Sequence, residues 1–138
     1  RPTALLPPLE GEHSLNIPGA TPIPGWTVAT RLLPVGGTDI CSDSWRAVMH
    51  YEPGMTLWVR TRRPGDRFQP LGMAEAKKLQ DFMVDAHIPR EWRDRVPLVC
   101  SPQGIAWVVG WRLAEWARVR PDSLQVLEVE LKKTEPRS

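Results

Sequence analysis

No run of apolar residues in this chain approaches the roughly 18 needed to cross a bilayer, so no transmembrane helix and no membrane partner is expected. There is no initiator Met, and no basic segment followed by an apolar one that would mark a signal peptide. A chain opening on Arg1-Pro2-Thr3 reads as a piece of something longer, whose remaining part would hold the chemistry. Cys41 and Cys100 are the only two cysteines, far apart and outside any CxxC spacing. His13, His50 and His87 stand at no metal-ligand interval. A structural zinc site needs four closely placed ligands and is excluded. This cysteine usage points instead to reduced, partly buried thiols in a cytoplasmic protein.

Recognisable catalytic patterns are missing as well. No GxGxxG and no Walker loop occurs. The nearest approach to a phosphate loop is Val35-Gly36-Gly37-Thr38-Asp39-Ile40. A pyrophosphatase-type loop would read Ser-Gly-Gly-x-Asp-Ser after a buried strand and would open a helix. Here Val35 and Ile40 replace both serines, and no clear helix follows, so a hairpin turn is expected. Asp81 and Asp85, at i and i+4, could share a proton or a metal, but Lys77 and Lys78 beside them point to salt bridges. No Ser/His/Asp or Cys/His arrangement follows from residue order, so no catalytic residue is assigned and a free-standing hydrolase is disfavoured.

What is present is a globular composition. The 138 residues are 41% hydrophobic and 25% charged, enough for one domain with one core. Net charge is only +2, but it is unevenly placed. From Arg60 to Arg95 there are nine bases (Arg60, Arg62, Arg63, Arg67, Lys77, Lys78, Arg90, Arg93, Arg95) against six acids, a local +3; the remainder carries nine bases and ten acids. A local excess of cations is the pattern expected of a nucleic-acid contact surface.

Residues 1–56 form a Pro- and Gly-rich lead-in, with short edge strands and turns expected. Strands are read at Trp26–Leu33 and Trp45–Tyr51, with Val35-Gly36-Gly37 and its successors as a loop between them. A third strand, Leu57–Arg62, alternates strictly: Leu57, Val59 and Thr61 face one way, and Trp58, Arg60 and Arg62 the other. The main helix is expected from about Ala74 to Ala86, because Leu79, Phe82, Met83 and Ala86 form one apolar stripe. That places Lys77 and Lys78 in its first turn, against the macrodipole, with Asp81 in reach of both. A lysine pair beside free helical N–H groups suits an anion. Pro89 should end the helix, with one further turn over residues 90–95. Pro97–Ser101 and Ile105–Leu113 read as a hairpin, and Leu124–Lys132 as the last strand, within a closing segment 113–138. The expectation is one α+β domain over 1–138, with six or seven strands folded into a sandwich or open barrel and one main helix.

Among seven tryptophans, Trp26, Trp45 and Trp107 are assigned to the core, while Trp58 and Trp92 interleave with arginines and could stack on a base. Guanidiniums suit phosphate oxygens, and the bases come from a strand end (Arg60, Arg62), a turn (Arg63, Arg67), a helix start (Lys77, Lys78) and the segment after the helix (Arg90, Arg93). Local pairing competes: Asp66 could hold Arg63 or Arg67, and Asp94 or Glu91 could hold Arg90 or Arg93. Arg67, between a turn and Phe68, is assigned to architecture.

The block from Leu57 to Arg112, with "VRTRRPGDRFQPLGM", "KKLQDFMVDAHIPREWRDRVPLV" and "GIAWVVGWR" in that order, resembles the C-terminal domain of bacterial tRNA(Ile)-lysidine synthetases. The resemblance implies a parent ligase that uses ATP, lysine and magnesium to modify the wobble cytidine of an isoleucine tRNA, with that chemistry in an N-terminal domain absent from this chain. It implies a tRNA-binding module that engages the acceptor-stem side. It also implies a β-sandwich with a helical layer, similar to a domain of the phenylalanyl-tRNA synthetase β subunit. Carried onto this chain, the tRNA-binding residues are Arg60, Arg62, Arg63, Lys77, Lys78, Arg90 and Arg93, and the motif's structural members are Pro64, Gly65, Asp66, Arg67, Gly72, Asp81 and Pro89. His87 stands where a lysine is common, and Glu75 near where a glycine is common. The expected partners are tRNA(Ile) and the catalytic domain, with a structural module packing on that domain, or on a second copy in a homodimer, as the alternative.

Overall fold

The computed structural model describes residues 9, 11–34, 45–123 and 125–133. The Val35–Ile40 loop and Cys41 lie outside the described residues. Eleven strands and one α-helix are described: β1 (His13–Ser14), β2 (Gly19–Ile23), β3 (Trp26–Pro34), β4 (Arg46–Tyr51), β5 (Trp58–Arg60), β6 (Arg67–Phe68), β7 (Lys77–Lys78), α1 (Leu79–Asp85), β8 (Leu98–Ser101), β9 (Gly104–Val108), β10 (Arg112–Leu113) and β11 (Gln125–Lys133). Short 3-10 turns cover Arg90–Trp92 and Glu115–Ala117. The expected six or seven strands undercounted them, chiefly because β1, β6, β7 and β10 have only two residues each, too few for alternation to show. The domain is mostly β with one helix, the expected α+β class.

The strands make a four-stranded sheet in the order β2-β3-β11-β4, a five-stranded sheet in the order β1-β5-β8-β9-β10, and the two-stranded pair β6-β7. The last strand in sequence is thus internal to its sheet, with Val129 opposite Thr30 on one side and Ala47 on the other. Burial alternates along β3, while Ala47–Met49 of β4 and Val126–Val129 of β11 are buried consecutively. Trp26, Val28 and Thr30 of β3 are buried along with Leu127, Val129 and Leu131 of β11. The Thr30 hydroxyl donates to the Asn16 carbonyl at 2.7 Å and accepts the Gly19 N–H at 3.1 Å, tying the Pro-rich lead-in to the sheet.

In the five-stranded sheet consecutive burial extends over the neighbouring strands β8 and β9. All four residues of β8 are buried, and so are Ile105 through Val108 of β9. Consecutive burial means both faces are covered. Residues 105–113 are not one strand, as expected, but β9, a turn at Val109-Gly110-Trp111, and β10, which pairs back on β9. Gly110, at φ +92°, supplies the left-handed backbone that this reversal needs. β5 stops at Arg60, two residues short of the expected strand, with Leu57 and Val59 buried as the alternation required.

The helix is the largest departure. It starts at Leu79, not near Ala74, because Lys77 and Lys78 pair with Phe68 and Arg67 in β7-β6. Local propensity favours a helix from Ala74 onward, but seven residues are too few to hold a helix by propensity alone. Packing decides instead: Leu79, Phe82 and Met83 are buried, each worth about 1.5–3 kcal/mol. The Leu79 N–H donates to the Asp66 carbonyl at 2.9 Å, so the chain enters the helix from a fixed point on the preceding turn. At the other end, the Ile88 N–H bonds the Met83 carbonyl and the His87 N–H bonds the Val84 carbonyl, both at 3.0 Å. This is a Schellman closure, with His87 at φ +60° in the place usually given to glycine and buried Ile88 packing behind it.

Candidate functional site

Arg63-Pro64-Gly65-Asp66 is a turn in which the Asp66 N–H donates to the Arg63 carbonyl at 3.2 Å. Gly65 sits at φ +85°, which a type II turn demands at its third position. The Asp66 carboxylate organises what surrounds it. It accepts both Arg60 Nη1 at 2.9 Å and Arg60 Nη2 at 3.0 Å, and also the Arg63 N–H at 2.7 Å. Both side chains of this pair are only 13% exposed. Burial pushes the Asp66 carboxyl up, but the Arg60 guanidinium and the Arg63 N–H outweigh it and hold the carboxyl below its ordinary value. Asp66 therefore holds Arg60, not Arg63 or Arg67, and Arg60 is turned inward rather than to solvent.

Beside this pair lies a groove of about 480 Å³ lined by Arg62, Arg63, Pro64, Gly65, Asp66, Arg67, Lys78, Leu79, Gln80 and Asp94. It gathers bases from the segment that follows β5, the turn after it, β6 and the end of β7. Arg67 and Lys78 are cross-strand partners, which sets two cations side by side. Arg67 is exposed and reaches back to the Ala76 carbonyl at 3.2 Å, spanning the hairpin. Lys78 is exposed and has no side-chain partner among the described residues. Its backbone precedes the helix and its side chain caps nothing. The lysine pair is thus a strand end that leads into the helix, and not a first helical turn as expected.

The other sequence-predicted bases are placed around this groove or away from it. Arg62 Nε donates to Asp94 Oδ1 at 2.8 Å, and its Nη1 approaches Met83 Sδ at 3.9 Å. Asp94 therefore holds Arg62, not Arg90 or Arg93. Arg63 Nη2 lies 2.8 Å from Glu12 Oε2 of the lead-in, a partner that no local spacing could reveal. Lys77 Nζ lies 2.8 Å from Asp85 Oδ2 rather than near Asp81, because β7 carries it past the first helical turn. Arg93 Nε donates to the Ile88 carbonyl at 3.0 Å and so braces the segment after the helix. Arg90 is exposed, and no side-chain partner for it is found among the described residues. Lys77, Arg90 and Arg93 do not line the groove.

Trp26 and Trp107 are core, and Trp45 is half-buried with its ring centroid 5.3 Å from that of Trp26. Trp58 and Trp92 pack against the core, Trp92 edge-on to Trp111, and neither lines the groove. A second cluster escaped the sequence reading. His50 Nδ1 is 2.6 Å from Ser123 Oγ, and its Nε2 is 3.1 Å from Glu52 Oε2 and 3.0 Å from an Arg120 nitrogen. It borders a cavity of about 320 Å³ that Ser123 does not line. Ser123 is 4% exposed, and its Oγ already accepts the Arg120 N–H at 3.0 Å. The hydroxyl is committed to this turn and out of reach of a substrate, so the cluster is not a nucleophile–base set. Burial pushes the Cys100 thiol up to about 11, which leaves it unreactive at neutral pH. No three His, Cys, Asp or Glu side chains come together to hold a metal ion among the described residues.

Known proteins match this arrangement in both sequence and fold. Residues 57–128 match the family described as the TilS substrate C-terminal domain. A tRNA(Ile)-lysidine synthase of Dehalococcoides mccartyi is 45% identical over 91% of this chain and 27% of its own length. One from Symbiobacterium thermophilum is 42% identical over 83% of this chain and 24% of its own. The chain thus spans about a quarter of these relatives. A crystal structure of a TilS C-terminal domain superposes with a TM-score of 0.71 at 26% identity, covering 91% of this chain and 100% of that one. No helix among the described residues is long and apolar enough to cross a membrane. With residues 57–128 carrying the Arg63–Asp66 turn and every residue that lines the groove, this chain belongs to the TilS substrate C-terminal domain family.

Proposed function

We propose that this domain docks tRNA(Ile) for a tRNA(Ile)-lysidine synthase, engaging the acceptor-stem side while a catalytic domain elsewhere in the protein modifies the anticodon. The observation that carries the proposal is the groove, where Arg62, Arg63, Arg67 and Lys78 converge from separate elements on a turn preset by Pro64 and Gly65. Guanidiniums and an ammonium spaced along a groove suit a line of backbone phosphates better than a single base. Lys77, Arg90 and Arg93 would extend the contact beyond the groove, while Arg60, committed to Asp66, would support it from behind. ATP, lysine and magnesium belong in this reading to the catalytic domain, whose ligase chemistry needs nothing from the residues described. A cytoplasmic location follows from the tRNA partner. The likeness to a domain of the phenylalanyl-tRNA synthetase β subunit belongs to the same proposal.

A second reading is supported by a specific observation: Arg60, Arg62, Arg63 and Lys77 each already hold a carboxylate. A patch neutralised from within would suit a module that packs on the catalytic domain or on a second copy. Filter binding to tRNA(Ile) and to an acceptor-stem minihelix across a salt series separates the two. The docking role expects micromolar or weaker binding that falls steeply with salt, because each phosphate contact releases counterions. Lys78→Ala should lower the salt slope by roughly one. Undetectable binding, or binding indifferent to Lys78→Ala and Arg62→Ala, would favour the packing module.

A further inference from the structure

Two carboxylates line the groove, and they are held very differently. Asp66 is 13% exposed and takes a two-pronged bond from Arg60 as well as the Arg63 N–H, so it cannot leave without dismantling the turn. Asp94 is 80% exposed, yet its Oδ1 sits 2.8 Å from Arg62 Nε, whose own side chain is only 24% exposed. An exposed carboxylate on a flexible side chain adds little to stability through such a contact, since water competes with it. What the contact does is geometric. With Nε on Asp94 and Nη1 against the buried Met83 Sδ, the Arg62 guanidinium is fixed at the groove wall between the carboxylate and the helix.

We propose that Asp94 is an intramolecular stand-in for a phosphate: it occupies the place on Arg62 that a backbone phosphodiester takes when RNA enters the groove, and it swings into solvent as that phosphate binds. The inference rests on the tRNA-docking role. A carboxylate oxygen and a phosphate oxygen accept the same N–H in the same geometry, but the phosphate brings further oxygens for Arg63, Arg67 and the unpartnered Lys78. A single carboxylate cannot reach all four, so a multidentate phosphate backbone displaces it while a lone small anion gains much less. Asp94 would thereby lower affinity for every anion and spare the ligand that fills the whole groove. The pairs Arg63–Glu12 and Lys77–Asp85 resemble it, with acids 46% and 63% exposed, but neither of those acids lines the groove.

The test uses the 138-residue chain and a short fluorescent RNA hairpin stem, read by anisotropy at low salt. Asp94→Asn should bind about 5-fold tighter than wild type, the upper range for releasing one exposed pair. Glu91→Gln makes the same charge change on an exposed acid outside the groove and should shift binding less than about 2-fold. In an Arg62→Ala background the gain from Asp94→Asn should vanish. Equal gains from Asp94→Asn and Glu91→Gln would reduce the effect to net charge and overturn the proposal, as would a gain that survives without Arg62. Wild-type binding that Asp94→Asn leaves unchanged or weakens would overturn this inference alone. No binding by either protein would overturn the docking role and this inference with it. Circular dichroism of Asp94→Asn should match wild type, which keeps the comparison one of binding.

Discussion

Among the described residues, arginines hold a buried carboxylate on the four-stranded sheet and a second carboxylate, Asp66, on the wall of the basic groove. On the four-stranded sheet, Glu128 of β11 lies between Arg31 of β3 and Arg46 of β4, 5% exposed, and accepts from both guanidiniums. At the other place Asp66 takes Arg60, but Arg62, Arg63, Arg67 and Lys78 remain beside it with at most exposed carboxylates to hold them. In the first cluster one acid consumes the cations. In the second, one acid anchors the turn and the surplus cations are displayed. The difference teaches that a basic residue is available to a ligand according to whether its acid is buried and built into the backbone. The number of acids nearby in sequence says little about that.

The sharpest way to break this contrast is to remove the anchor. Asp66→Ala strips Arg60 of its partner and the turn of its N–H acceptor, and should cost about 3 kcal/mol, the low end for breaking a buried pair; urea unfolding measures it. Glu128→Ala should cost less, about 2 kcal/mol, because Arg31 is largely exposed and can be hydrated. An equal or larger loss there would mean that the sheet pair, not the groove anchor, carries the domain.

Acid should probe both anchors together. Arg31 and then Arg46 hold the Glu128 carboxyl below its ordinary value against the cost of burial, as Arg60 and the Arg63 N–H do for Asp66. Groups depressed in the folded state add stability that is fully present above their unfolded values and is lost as pH falls through the folded ones. The thermal midpoint should therefore drop below about pH 4, and Asp66→Asn should flatten part of that decline. A decline equally steep in Asp66→Asn would show that Asp66 is not a source of it.

The smallest expected effect is the one that defines a displayed cation. Lys78→Ala should change stability by about 0.5 kcal/mol or less, as substitutions of exposed side chains do, and Arg62→Ala, whose side chain also touches Met83, by somewhat more. A large destabilisation by either would place that side chain with the anchors.

Most of the sheet was legible from residue pattern. β3 alternates in burial over Trp26–Thr30 and β11 alternates in sequence over Leu127–Lys132, β4 is marked by the apolar run Ala47–Met49, and the positions of all three agree with expectation to within a residue or two. Two-residue strands carry no period, and β6 and β7 are defined only by each other. Ala74-Glu75-Ala76-Lys77-Lys78 reads as helix because each residue favours one, yet pairing with Arg67 and Phe68 draws Lys77 and Lys78 into a strand. The candidate site was legible as a set of bases and not as an arrangement. Glu12 is 51 positions from Arg63 and Asp94 is 32 from Arg62, so neither pairing leaves a local trace.

By itself, the order of residues determined the family, the α+β class and the segment in which the surplus bases lie, because ordered motifs and alternation are properties of the chain alone. Which of those bases face outward was decided only on folding. Arg60 turned inward because the Arg63–Asp66 turn sets a carboxylate over the end of β5. Arg67 and Lys78 came side by side because a two-residue ladder joined them across a loop. Burial of Leu79, Phe82 and Met83 set where the helix begins, and a contact between distant segments outweighed the local preference that would have begun it earlier.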